Sequence, residues 1–209
     1  MSKGFLISFE GGEGGGKSTQ SAILLKRLQE LGRDVISLRE PGGSAIAEQI
    51  REVVLSSKNM GIAFTTEVLL FQASRAQIYH EVVLPNLEQG KIILMDRTRD
   101  SSVVYQGIVR KFGQELIEQL NTISTHDTFP DLTFLLDIPV EIGLKRREET
   151  GEMNRIDLEK KDFHQQVKEA YLSLAHADKS GRWQIIQASQ DVDQVTTQIW
   201  QILEEKGYV

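Results

Sequence analysis

The stretch from Lys3 to Leu31 constrains the chain most: an apolar run, Phe5–Phe9, enters a glycine-rich turn that opens an amphipathic helical pattern. Gly11-Gly12-Glu13-Gly14-Gly15-Gly16-Lys17-Ser18 fits G-x-x-x-x-G-K-[ST] in a strand–loop–helix setting. Successive backbone N–H groups must curl around a phosphate chain, and glycine permits the positive φ and close approach this needs. A helix opening near Lys17 and Thr19 turns its unpaired N–H groups toward the same anion. Lys17 supplies a mobile cation, and the Ser18 hydroxyl is placed to ligate Mg²⁺. This loop reads as a triphosphate site.

Length and composition bound the rest. At 209 residues the chain suits one α/β domain, 1–209, with room for a small lid. Without cysteine it has no disulfide, thiolate metal site or cysteine nucleophile. Its amino-terminal apolar run is too short for a signal peptide, and no segment is long enough to span a membrane, so a cytoplasmic protein is expected. A net charge of −6 without a dense basic block disfavours a polynucleotide partner.

Apolar β-branched runs alternate with helical patterns, which predicts a doubly wound five-stranded parallel sheet flanked by helices. The strands are Phe5–Phe9, Val35–Leu38, Lys91–Met95, Leu132–Ile138 and Trp183–Ile186. Helices are expected over Thr19–Leu31 (stopped by Gly32), from Ser44 as cap to Leu55, and over Thr65–Leu87 with a bend near Pro85. Others are expected over Ser102–Gly107, Gln114–Ile123, from Pro139 to Thr150, and over Phe163–Ala177 and Val192–Glu205. Ligands of such a sheet bind at the carboxyl ends of the strands.

Two carboxylates end apolar runs there, Asp96 and Asp137, and either can hold the metal. Asp96 is preferred because it closes the most apolar run. Arg39, Arg75, Arg97, Arg99, Arg146, Arg147 and Arg155 fall where loops meet that edge, and arginine suits forked recognition of phosphate. Phe71 and Arg75 share a helix face; from spacing alone Phe71 reads as core and Arg75 as an exposed charge. The four histidines show no ligand or triad spacing. Asn154-Arg-Ile-Asp157 and Asp178-Lys-Ser-Gly181 look superficially like elements of a GTP-binding switch. Neither follows an apolar strand as a switch would require.

Five segments together resemble the thymidylate kinase family in its bacterial form: FEGGEGGGKST (Phe9–Thr19), REPGGS (Arg39–Ser44), LLFQASRAQ (Leu69–Gln77), DRTRDSSVVYQG (Asp96–Gly107) and PDLTFLLDIP…GLKRR…GEMNRID (Pro130–Asp157). The resemblance implies a P-loop nucleotide kinase fold and phosphorylation of dTMP to dTDP with ATP and Mg²⁺, a step toward dTTP for DNA replication. It implies a homodimer and a lid around 141–160. Glu13 then positions the acceptor, Phe71 stacks on thymine and Arg75 bonds its O4 edge, and Arg97, assisted by Arg39, clamps the acceptor phosphate. Ser101 and Ser102 lie near the base, Tyr105 crowds the sugar and Gln106 lies beside it. Arg147 and Arg155 belong to the lid over ATP, and Ala188–Gln190 to the adenine side. Thr98 stands where the family usually has an aromatic residue or histidine, and Val104 where alanine is usual. A kinase of the same fold acting on another nucleotide is the neighbouring reading, because pocket details select the base.

Overall fold

In the computed structural model, which describes residues 4–151 and 153–209, β1 (Phe5–Glu10) is the central strand of a five-stranded sheet. Lys3 and Glu152, at which the opening stretch begins and which the lid range includes, lie outside the described residues. The other strands are β2 (Val35–Arg39), β3 (Ile92–Asp96), β4 (Leu132–Asp137) and β5 (Trp183–Gln187). All pair parallel in the order β2-β3-β1-β4-β5. The chain builds first on one side of β1 and then on the other, so the loop after β1 sits at the reversal, where such sheets bind ligands.

The apolar runs form strands because both faces are covered. Ile7 and Phe9 face a core shared with α1 (Lys17–Glu30) and α9 (Val192–Glu205), through Leu24, Leu28, Ile199 and Leu203. Leu6 faces the opposite core with Ile93, Met95, Ile78 and Tyr79. Two polar residues interrupt β1, Ser8 and the terminal Glu10, and the Ser8 hydroxyl is satisfied by Thr133 at 2.8 Å. Each fully buried Leu or Ile contributes about 1.5–3 kcal/mol. Asp96 lies in register with Phe9 on one side and Arg39 on the other, which brings the ends of β1, β2 and β3 together.

The helices follow the sequence pattern with physical adjustments. After α2 (Ala45–Leu55) comes α3 (Phe64–Ile78), then a π-helical turn, Tyr79–Val83, and α4 (Leu84–Glu88). In place of the expected bend near Pro85, the π-helical turn precedes it: the Leu84 N–H donates five residues back to the Tyr79 carbonyl, and Pro85 follows in the first turn of α4. Ser44 takes the extended cap conformation without a side-chain bond; the Glu48 carboxylate instead accepts from the Gly43 N–H at 2.8 Å. α5 (Arg99–Ser102) runs into a second π-helical turn, Val103–Val109, and α6 spans Gln114–Thr125. α7 covers Val140–Glu149, so Pro139 precedes the first helical residue and is extended, while α8 begins at Lys161 and ends at Ala177. Among the described residues no helix is long and apolar enough to cross a membrane.

The tip of the loop after β1 rests on α7. Gly14, at φ 65°, and Gly143 meet backbone to backbone, and a Cβ on Gly143 would strike the Glu13 carbonyl oxygen. Gly143→Ala is therefore expected to destabilise by about 1–3 kcal/mol. Gly61→Ala, where a Cβ meets nothing, should change stability by no more than about 1 kcal/mol. Equal melting of the two variants by calorimetry would contradict this packing.

Candidate active site

A cleft of about 740 Å³ opens along the carboxyl ends of β1, β2 and β3 and extends under α7. Its floor is the glycine loop. Gly16 caps α1 in the left-handed region at φ 89°, and Gly11, at φ 133°, passes against the Leu136 carbonyl. Gly14, Gly15, Gly16, Ser18 and Thr19 line the cleft, while Gly12 lies behind the loop. The Lys17 ammonium lies across the loop and donates to the Gly11 and Gly12 carbonyls at 3.1 and 2.7 Å. Burial and then the Arg97 charge lower its pKa, against the pull of Glu13, Asp96 and Glu10.

Ser18 Oγ donates to Asp96 Oδ2 at 2.5 Å. Asp137 is paired with Lys168 at 2.8 Å, in a small cavity behind the loop, so of the two strand-end carboxylates Asp96 is the one beside Ser18. A hydroxyl and a carboxylate are hard oxygen donors that suit Mg²⁺, which otherwise draws its ligands from phosphates and water. Among the described residues no three acidic, histidine or cysteine side chains gather around a common point, so the protein alone does not build a metal cage.

The centre of the cleft is an ion pair. Arg97, at φ 71°, donates NH2 to Glu13 Oε1 at 2.7 Å and NH1 to the Gly11 carbonyl at 3.1 Å. Tyr105 donates its hydroxyl to the same Glu13 oxygen at 3.0 Å, and the Arg97 guanidinium lies 5.2 Å from the Tyr105 ring centre. Burial pushes the Glu13 carboxyl up, but Arg97 and Lys17 outweigh it and hold it down at about 2. Beneath the pair, Glu10 closes β1 fully buried. It accepts from the Thr98 N–H (2.7 Å) and Oγ1 (3.1 Å), Ser101 Oγ (2.7 Å) and Tyr171 OH (2.7 Å). Burial and Asp100 raise its carboxyl, and the Ser101 and Tyr171 hydroxyls and Arg97 pull it back. Thr98 thus has a structural reason: its short hydroxyl serves Glu10, turned into the core rather than the cleft.

At one end, Phe71, Arg75, Ser102 and Gln106 line the wall. Arg75 is 2% exposed, not the surface charge that spacing alone predicts. Its guanidinium donates to Glu40 Oε2 (2.7 Å), Ser102 Oγ (2.9 Å), Asn121 Oδ1 (2.9 Å) and the Thr98 carbonyl (3.0 Å). Arg39 pairs with Glu48 at 3.0 Å, and Arg51 donates to the Pro41 carbonyl at 2.7 Å; both line the cleft near Arg97. At the other end Arg146 donates to the Ala188 carbonyl at 3.3 Å, beside Gln190 and Val192, and Arg147 is held by Asp157 at 2.9 Å.

Two of the arginines singled out from sequence are elsewhere. Arg155 is buried against Glu67 at 2.8 Å and the Val54 carbonyl, and it does not line the cleft. Arg99 pairs with Glu118 and lies 3.5 Å from the Phe129 ring centre, a purely structural position. Glu10, Glu40 and Arg51 were missed. The signal for Glu10 is a glutamate ending the otherwise apolar FLISFE strand; for Arg51 it is i,i+3 spacing from Glu48 on α2.

A parallel sheet with this loop at its reversal, a hydroxyl–carboxylate pair beside it and arginines along the same cleft are the arrangement of a P-loop phosphotransferase. The thymidylate kinase family model matches residues 9–199. A thymidylate kinase from Thermosipho melanesiensis is 43% identical over 198 residues, covering 95% of this chain and 96% of that one. One from Pelobacter propionicus is 42% identical over 202 residues, covering 94% and 92%. The crystal structure of thymidylate kinase from Ehrlichia chaffeensis superposes with a TM-score of 0.79 at 28% identity, covering 97% of this chain and 100% of that one. The chain belongs to the thymidylate kinase family.

Because Glu13 titrates at about 2 against an ordinary 4.5, its ion pair contributes stability that is fully present above about pH 4.5 and is lost as pH falls toward 2. The shift corresponds to on the order of 3 kcal/mol. Glu13→Gln should remove that part of the acid sensitivity, so that the wild-type and variant stabilities converge between pH 5 and 2. Parallel stability–pH curves from urea melts would contradict the pair's assigned strength.

Proposed function

We propose that the chain transfers the γ-phosphoryl group of ATP to the 5′-phosphate of dTMP, giving ADP and dTDP on the way to dTTP. The observation that carries this reading is the Glu13–Arg97 pair, which joins the phosphate loop to the Phe71–Arg75 compartment so that two phosphate-bearing ligands meet at one point. The acceptor oxygen is already anionic near neutral pH, so the protein's work is in-line positioning and stabilisation of spread negative charge. Backbone N–H groups of Gly11–Thr19 cradle the donor, and Lys17 exchanges its carbonyl partners for the terminal phosphates. Ser18 and Asp96 would hold Mg²⁺, which when bound neutralises charge on those phosphates.

Arg97, with Arg39 and Arg51 nearby, clamps the acceptor phosphate, and Glu13 orients the acceptor. Phe71 stacks on thymine, Arg75 and Gln106 face its polar edge with Ser101 and Ser102 behind, and Tyr105 crowds the sugar. Arg75 has its donors engaged, so bonding O4 requires Ser102 to yield its place. Arg147 is the catalytic arginine of the lid around 141–160, since it lines the cleft; Arg155 supports that segment from behind. Ala188–Gln190 flanks the adenine. The chain works as one domain, 1–209, in the cytoplasm.

A homodimer is supported by apolar side chains left in the open on α3 and α6, which pack together: Leu69 is 54% and Ile123 73% exposed. Light scattering should give twice the 23.6 kDa chain mass, and a monomer at micromolar concentration would contradict it. In a coupled ADP-release assay with ATP and Mg²⁺, dTMP should be the preferred acceptor over dUMP and CMP. Arg97→Ala should lose about 10²–10³ in turnover, as for removal of one oxyanion donor. Preference for another acceptor, or ADP release independent of any acceptor, would overturn the reading.

A further inference from the structure

Glu67 lies in the first turn of α3, one turn before Phe71, in a helix whose sequence gives no reason to bury a carboxylate. It is nevertheless 1% exposed. Three side chains from two segments converge on it, Gln106 and Arg110 from the second π-helical turn and its cap and Arg155 from the lid segment. Gln106 Nε2 donates to Oε1 at 2.9 Å, Arg110 Nε to Oε1 at 3.2 Å, and Arg155 NH2 meets Oε2 at 2.8 Å. Arg110 continues to the half-buried Glu159 at 2.6 Å, so two carboxylates and two guanidinium groups form one charge-balanced cluster around the buried Glu67. Phe64 and Phe163 each place a ring 4.8 Å from the Arg110 guanidinium carbon.

The members of this cluster belong to different parts of the site. Gln106 and its neighbour Tyr105 line the acceptor compartment. Arg155 sits in the segment that closes the lid, with Asn154 and Ile156 on either side of it lining the cleft. Its backbone N–H donates to the Leu55 carbonyl at 3.0 Å, and its Nε to the Val54 carbonyl at 3.1 Å. Two residues on, Asp157 accepts from Arg147 at 2.9 Å and from the Asn154 N–H at 2.8 Å. A continuous set of bonds therefore runs from Gln106 through Glu67 and Arg155 to the turn that holds Arg147.

We propose that Glu67 is a positioning residue that couples the acceptor compartment to the lid: by holding Gln106 and Arg155 on one carboxylate, it lets a bound acceptor order the segment carrying Arg147. The inference rests on the acceptor-compartment reading above. Glu67 touches no substrate, and a buried charge shared by two guanidinium groups keeps one arrangement because removing any member leaves another uncompensated. Coupling of this kind favours lid closure when the acceptor is present and disfavours transfer of the phosphoryl group to water.

The test is trypsin cleavage of the lid, after Lys145, Arg147 and Lys160, with and without dTMP and with no ATP present. In the wild type dTMP should slow that cleavage. In Glu67→Gln the protection should be lost, with dTMP KM raised about 10-fold or more, within the roughly 10²-fold that an ångström of misplacement can cost. Because the segment that loses its order carries Arg147, turnover at saturating dTMP should fall as well, which a change confined to the acceptor compartment would not produce. Arg155→Lys, which keeps the charge, should retain part of the protection, whereas Arg155→Met should not. These two variants carry the comparison if Glu67→Gln melts below the assay temperature. Equal protection by dTMP in wild type and folded variants would overturn the coupling and leave the acceptor reading standing. Absence of protection in the wild type would also overturn the coupling, and if turnover in addition failed to saturate with dTMP, the acceptor reading would fall with it.

Discussion

The Glu13–Arg97 ion pair is the contact on which the site depends. Glu13 stands in the phosphate loop and Arg97 immediately after β3, so the pair fixes the distance between the donor loop and the neighbouring strand end. Arg97 adopts a left-handed backbone conformation that a non-glycine residue takes only when its surroundings hold it there. Those surroundings are the Glu13 carboxylate, the Gly11 carbonyl and the hydroxyls of Ser101 and Tyr171. Glu10 ties these hydroxyls to the end of β1. A charge-assisted network at the carboxyl edge of the sheet thus takes over where the apolar core ends.

The same network separates two kinds of arginine. Arg97, Arg39, Arg51, Arg146 and Arg147 border the cleft, where a phosphate can compete for their donors. Arg99, Arg110 and Arg155 are held on carboxylates, where removing a partner is costly, and do not line the cleft. Arg75 is intermediate: it faces the cleft, yet its donors are committed to Glu40, Ser102, Asn121 and Thr98. Those partners fix the orientation of its guanidinium, and a ligand must displace one of them to bond it.

Much of the fold is legible in the chain because strand and helix signals are periodic and local. FLISFE, KIILM and LTFLLD are apolar on both faces, and the glycine loop demands the strand and helix that flank it. The boundaries that shifted do so for local reasons, such as Pro85 settling into a first helical turn after a π-helical turn. The long-range partners were not legible. An arginine in the polar run around Arg155 has the same sequence appearance whether it faces phosphate or a buried carboxylate. Glu67, its partner 88 positions earlier, looks like an ordinary polar position on α3. Thr98 departs from the family pattern, and nothing local in the sequence shows that its hydroxyl serves Glu10, 88 positions earlier.

On the proposed reading, donor and acceptor lie at opposite ends of one cleft and meet at the Glu13–Arg97 pair. The most direct measurement pairs calorimetric titration of dTMP with turnover in Lys17→Ala, whose ammonium belongs to the donor side. Turnover should fall by about 10²–10³, while dTMP affinity stays close to that of the wild type. Near-normal turnover, or a loss of dTMP binding in parallel with turnover, would contradict the account.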